Sequence, residues 1–459
     1  MNLTSVAPAV GAWPTPGPTA DRPDRPDRPD RPDRPDRPDR PDRPGRRRRR
    51  RDGASLTVTR IQTFEAADAI GDDWQMLYRG SVSGNPFASP DWLLAWARHF
   101  VAERDLDIIA IWREGALVGL APCYVKRAPL LPRRRQLLGS GRHDALTELP
   151  QVLTAPGEAR SVLRAVLGEW SRQPAGWGWL ELPVMADQGW FEPEWLTGRL
   201  GQRGLVLHKA TRATVVLELP SDLPALHAGL KRNLRESIRR ARNRLDKTGL
   251  GWRVTAHEEP ADVVGTLPVL AALHASRAGL PGRRRHPDQF SVAARRDFLG
   301  DALAAMAGRG EARILTLDVA GSPVAAQLVL DAPSGSYLGM SGVDPQWWQA
   351  SPVTLLVLHA VEAAVLRGHR EFNLSAGPSV SKLRWSEQVR QHPEFIVCGP
   401  RRSSLVAFTG YRMAAAAAAV RREAKRHGTA GTGATGPGAV GPGAIGLGKE
   451  TKRAHPAAH

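Results

Sequence analysis

The sequence is poor in cysteine, short of acidic residues and without a long apolar run. Only Cys123 and Cys398 occur among 459 residues, which excludes a disulfide framework, and the scattered histidines show no zinc-ligand spacing, so no metal is expected. Cysteine poverty of this kind leads us to expect a reducing, cytoplasmic compartment. No stretch approaches the ~18 consecutive apolar residues that a membrane span requires; the longest simple run, Met413–Val420, is mostly alanine. The amino-terminal region carries no apolar h-region of a secretory signal, which adds to the cytoplasmic expectation. Neither a Gly-x-Ser-x-Gly nucleophile motif nor a Ser-His-Asp array is evident.

The acidic deficit needs locating before it is interpreted. There are 46 Asp+Glu against 64 Lys+Arg, a net charge of +18. Residues 21–44 are eight Asp-Arg-Pro repeats, followed by Gly45 and six arginines, Arg46–Arg51. Proline at every third position removes backbone donors and fixes φ, so an extended, solvated arm is expected over residues 1–52. That arm carries a net of +5 and residues 401–459 a net of +8, leaving +5 for residues 53–400. The body is therefore close to neutral, and no specific nucleic-acid partner is expected. The basic ends offer charge without geometry, enough for contact with an anionic membrane surface. Residues 428–459, rich in Gly, Ala, Thr and Pro, are expected to form a flexible tail. Residues 401–427 have the composition of a basic, alanine-rich helix that packs on the body or touches a membrane surface.

What is present is a 42% hydrophobic content, enough for a sizeable core and for two or three units in a chain of this length. Leu56–Ile61 alternates as a strand, and residues 66–78 have helical spacing. Ser89-Pro90 opens a helix carrying Trp92, Leu93, Trp96 and Phe100 on its core face. Residues 107–112 and 116–122 form a hairpin about Glu114-Gly115. A helix over 158–170, strands at 177–182 and 205–208 and a helix over 191–200 complete a first half, 53–208. The second half, 209–400, starts with a strand at Thr214–Leu219. A helix with Leu226, Leu230, Leu234, Ile238 and Leu245 on one face follows, with seven basic residues between Lys231 and Arg244 on the other. Next come a strand, two helices and strands at 312–319, 323–330 and 336–341. The two halves repeat one order of elements, antiparallel hairpins and then a crossover helix, which predicts an α/β fold with mixed sheets, duplicated.

Ser336-Tyr-Leu-Gly-Met-Ser-Gly342 is a strand that ends in glycine. Ser351-Pro352 opens an apolar helix closed by Gly368, and the free N–H groups of such a helix start favour a phosphate. Ser351-Pro-Val-Thr-Leu-Leu, then Arg367-Gly-His-Arg-Glu-Phe-Asn373-Leu, then Gly377 and Lys382-Leu-Arg-Trp385 resemble the carboxyl-terminal signature of GNAT-superfamily acetyltransferases associated with cellulose and exopolysaccharide biosynthesis. Phe87-Ala-Ser-Pro-Asp-Trp92, the basic run from Leu230 and Leu273-His274-x-x-Arg277 are similar to further segments of that family. The resemblance covers residues 56–400.

It implies two tandem GNAT-like acyltransferase halves between disordered tails, and acyl transfer from acetyl-CoA or another acyl-CoA to an amine or hydroxyl of an acceptor it leaves unnamed. By resemblance, Met340, Ser341, Gly342 and Val343 present main-chain groups to the pantetheine and thioester. Ser351, Val353 and Thr354 then hold the pyrophosphate. Backbone donors of this kind can stabilise an oxyanion, and the nucleophile belongs to the acceptor. Lys382 is a candidate for an anionic group, against a plain surface lysine near Glu387. His274 is a candidate base or a buried, hydrogen-bonded histidine, with Arg277 an anion clamp one turn on. Asp144, in a loop with Arg142, His143 and Glu148, lines the acceptor site or caps its loop. Asn373 stands where the family carries Asp, Ser381 where it often carries Tyr, and Asp344–Ala350 where simpler GNAT enzymes carry a glycine-rich phosphate loop. Asn cannot act as a carboxylate base, and Ser is a poor acid for a thiolate. Two other readings follow: a Fem-like aminoacyl-tRNA-dependent transferase, and a catalytically degenerate scaffold of the same fold.

Overall fold

A computed structural model describes residues 55–81, 84–128, 131–140, 146–172, 177–184, 205–278, 287–333, 335–398 and 402–428. The expected helix over 191–200, Asp144 and both tails lie outside the described residues. The described residues form one compact unit.

Local signals set most of the first half. The alternating run is β1 (Thr57–Ile61). The helix expected over 66–78 is two, α1 (Phe64–Ala69) and α2 (Gly71–Gly80), because Ile70 leaves the helical region at φ −100°, ψ 9°. In α3 (Pro90–Phe100) the Ser89 side chain accepts from the Trp92 amide at 3.3 Å, with Pro at the first position. The hairpin of β2 (Ile108–Arg113) and β3 (Ala116–Ala121) turns at Glu114 and Gly115, both at positive φ. Then come β4 (Cys123–Ala128), β5 (Leu131–Leu137), β6 (Leu153–Thr154), α4 (Ala159–Ser171) and β7 (Trp177–Pro183).

The second half begins inside one 14-residue strand, β8 (Leu205–Glu218), where two short strands and a boundary were expected. The polar residues between them stay extended because a later strand pairs along β8 from Leu205 to Val215. The apolar stripe is present and buried, but on two helices, α5 (Leu223–Gly229) and α6 (Arg232–Asp246), with Leu230 extended between them. β9 (Trp252–His257), α7 (Pro260–Ala278), α8 (Ala293–Ala307), β10 (Ala312–Val319), β11 (Ser322–Ala332) and β12 (Gly335–Val343) follow. The chain ends its described course with α9 (Pro352–Leu366), β13 (Glu371–Ala376), α10 (Val380–Leu383), β14 (Val389–Cys398) and α11 (Arg402–Gly428).

Ten strands share one sheet in the order β4-β5-β7-β14-β8-β13-β12-β11-β10-β9, and β1-β2-β3-β6 form a second. Most neighbours are antiparallel. The two parallel pairs, β5 with β7 and β12 with β13, are each bridged by a crossover helix, α4 and α9. This is the duplicated α/β arrangement that the repeated element order predicts. The halves share a core: Trp92 of α3 meets Phe298 of α8 edge-on at 5.0 Å, and Phe87 meets Tyr337 at 6.2 Å. α11 packs on the sheet, with Phe408 and Tyr411 at 5.3 and 5.0 Å from Trp179.

Candidate functional site

β12 and β13 begin as a parallel pair and then part. Gly335, Ser336 and Tyr337 pair with Glu371, Phe372 and Asn373, and the ladder stops there, opening a cleft between Leu338–Val343 and Leu374–Ala376. Opposite the cleft, β12 is irregular against β11, its register shifting between Gln327 and Val329. The buried Gln327 side chain fixes that irregularity, donating from Nε2 to the carbonyls of Gly339 (3.0 Å) and Met340 (3.1 Å). Because α9 runs back along its two strands, its N-terminus lies at the open end.

α7 sets the position of the β12 edge. His274 Nδ1 donates to the Ser341 carbonyl at 2.9 Å, and Nε2 lies 3.4 Å from both the Gln289 amide and the Pro287 carbonyl. Both nitrogens are engaged, so this geometry uses His274 as a strut. Arg277 donates to Ser341 Oγ at 2.9 Å and lies over the Trp348 ring at 6.0 Å. Gly342 permits the approach: a Cβ there would stand 2.5 Å from the His274 backbone nitrogen.

The helix start differs from the expected cap. Ser351 adopts left-handed φ 53°, and its side chain makes no capping bond; a residue turned this way does not project its hydroxyl over the first-turn amides. Pro352 has no N–H, and the Thr354 amide is bonded back to the Ser351 carbonyl at 3.0 Å. The half-buried Val353 and Thr354 thus flank a terminus with fewer free donors than a regular one. Arg244, from the exposed basic face of α6, reaches the Gln349 carbonyl beside it.

A second group gathers at the end of β13. Ser375 is at φ 74°, and Asn373 closes the turn by accepting from its amide at 2.9 Å. The Glu148 carboxylate accepts from the Ala376 amide at 2.8 Å and from Ser375 Oγ. Lys382 donates to the Ala376 carbonyl at 2.6 Å. Burial lowers the Lys382 pKa, opposed by the charge of Glu148. Asn373 also donates to Thr214 Oγ1 at 3.4 Å, which pairs with His392 Nε2 at 3.0 Å. Sequence reasoning did not single out Thr214, Ser375, Gln327 or His392 and named Glu148 only as a loop residue. Its glycine-rich loop is the one local signal.

His392 carries a pH prediction. Burial, with help from Arg390 and Arg212, depresses its pKa to about 4. Protonation therefore favours the unfolded state: the stability that depends on neutral His392 is complete above pH ~6.5 and is lost as pH falls towards 4. Chemical denaturation of His392→Gln should show a flatter pH profile across that window, and an unchanged profile would refute the assignment.

Among the described residues no cluster of His, Cys, Asp or Glu could hold a metal ion, and no helix is long and apolar enough to cross a membrane. Residues 232–383 match the acetyltransferase (GNAT) domain family. The structure is similar to that of FemX, at TM-score 0.52 and 13% identity over 70% of this chain and 95% of that one. Lower similarity links it to the C-terminal domain of a putative lysylphosphatidylglycerol synthetase from Agrobacterium fabrum (TM-score 0.44, 11% identity, 75% and 94% coverage). A tandem GNAT protein from the clavulanic acid biosynthesis pathway gives TM-score 0.41, 14% identity and 76% and 99% coverage. No curated protein matches in sequence. The stretch from Arg232 to Leu383, which spans α6 to α10 and the parted strands, is thus similar to GNAT acetyltransferase domains.

Proposed function

We propose that the protein transfers an acetyl or longer acyl group from acyl-CoA to an amine or hydroxyl of a polysaccharide, cell-envelope or small-molecule acceptor. The observation that carries this reading is the parting of β12 from β13 after three paired residues, at the N-terminus of the crossover helix. Such a gap admits an extended thioester arm between two strand edges, where main-chain groups of Met340–Val343 can meet it. The acceptor attacks the thioester carbonyl, backbone N–H groups meet the charge that develops on oxygen, the C–S bond breaks, and the proton given up by the acceptor ends on the departing CoA thiolate through solvent. Gln327 and His274 hold one wall of the gap before any ligand arrives, and Glu148, Asn373 and Lys382 hold the other; preorganisation of this kind reduces the cost of binding. The arm, the tail and the basic helix give a cytoplasmic protein means of peripheral contact with an anionic surface.

Acetyl-CoA is expected to bind the full chain in calorimetry, and Thr354→Phe, which places a ring at the helix start, to weaken it at least tenfold. Absence of acetyl-CoA binding would refute the reading. The FemX-like fold and the exposed arginines of α6 favour one second reading, transfer from an aminoacyl-tRNA. Salt-sensitive binding of charged tRNA with no affinity for acetyl-CoA would decide for it.

A further inference from the structure

A cavity of about 550 Å³ lies between the ten-stranded sheet and α11, and none of its lining residues comes from β12, β13 or α9. Its charged lining is Lys126, Arg134, Arg212 and Arg412 against Glu181 and Glu394, two more cations than carboxylates. Glu394 is moreover ion-paired with Arg212. A partly enclosed space with this balance favours an anion, and the forked donors of three guanidinium groups suit phosphate oxygens. One wall is aromatic. Phe408 and Tyr411 of α11 face the space, and the Arg134 guanidinium sits over the Tyr411 ring at 4.9 Å, which fixes its plane. The volume is that of a site for a small molecule.

The cavity is tied to the cleft through one residue. Arg212 donates to the Glu148 carbonyl at 3.2 Å, and the carboxylate of the same Glu148 holds the Ala376 amide at the end of β13. A ligand that engaged Arg212 would thus lie against the loop that shapes the cleft wall. We propose that this cavity binds the phosphorylated end of the acceptor, a phosphate or diphosphate ester with a planar or apolar group beside it. The role as acceptor rests on the acyltransferase reading; the phosphate site itself does not.

Phenyl phosphate, which combines a ring with a phosphate, is the probe. Titrated into the full chain, it should bind equally with and without saturating acetyl-CoA, because the two occupy different places. Arg412→Glu, on the exposed face of α11, should weaken it at least tenfold, as should Arg134→Gln, while Thr354→Phe should leave it unchanged. Co-sedimentation with phosphatidic acid vesicles tells the source of the phosphate: pelleting abolished by Arg412→Glu assigns a lipid headgroup, and phenyl phosphate binding without pelleting assigns a soluble ester. No binding, displacement by acetyl-CoA, or wild-type affinity in both arginine variants would overturn the proposal. If phenyl phosphate binds in an Arg412-dependent way and acetyl-CoA does not bind, the phosphate site stands and the acyl-CoA reading falls.

Discussion

Asp331→Ala is expected to destabilise the protein by about 3–5 kcal/mol in urea or thermal unfolding, the cost of breaking a buried ion pair by removing one partner. Arg313 and Asp331 form that pair, with side chains only 2% and 7% exposed. The Nε and Nη2 atoms of Arg313 have no hydrogen-bond partner, so loss of the carboxylate strands a cation that water cannot reach. Ser336 donates to Asp331 at 2.6 Å, and Arg367 and His369 stand at 3.6 and 3.9 Å. Ser336 is one of the three β12 residues paired with β13, so this network pins the closed end of the cleft. Joint replacement, Arg313→Met with Asp331→Leu, removes both charges and should recover a large part of the loss. An Asp331→Ala variant within 1 kcal/mol of wild type would contradict the argument.

Gly342→Val should affect stability and ligand binding together. The added Cβ would meet the backbone nitrogen of His274 at 2.5 Å and the carbonyl carbon of Leu273 at 2.6 Å, atoms of a helix that cannot yield singly. Overpacking of this kind costs roughly 1–3 kcal/mol. Relief requires α7 to move off β12, which breaks the His274–Ser341 and Arg277–Ser341 bonds; acetyl-CoA affinity should fall at least tenfold. Gly339→Ala is the contrast. Its nearest atoms belong to the flexible Leu328 side chain, at 3.0 Å, so a smaller loss is expected in both measurements. Equal effects at the two glycines would show that contact with α7 is not what the cleft edge requires.

Signals within a few residues were legible in the sequence. Ser89-Pro90, Glu114-Gly115 and the apolar run after Ser351-Pro352 each encode a boundary locally, and the structure places elements there. The cleft walls were legible in part, since Ser341, Gly342, His274, Arg277, Asn373 and Lys382 all fall along them. What holds these residues was not. Glu148 reaches Ala376 across 228 positions, Gln327 acts through a register shift, and His274 bonds to a carbonyl that any residue could supply. Such contacts leave no periodicity. Ser351 shows the same limit: its type suits a helix cap, yet its backbone conformation is set by the six-residue 3₁₀ turn before it, Pro345–Ala350.

The placement of β14 has a consequence for how the protein is made. This strand is the last of the sheet to leave the ribosome, yet it sits in the middle, antiparallel to β7 on one side and to β8 on the other. Until residues 389–398 emerge, β7 and the Leu205–Val215 stretch of β8 each present an unpaired edge, and the two half-sheets have no strand between them. Completion of the described sheet therefore waits for residues 389–398. The nascent chain thus passes through a stage in which two open edges are exposed to pairing with other chains.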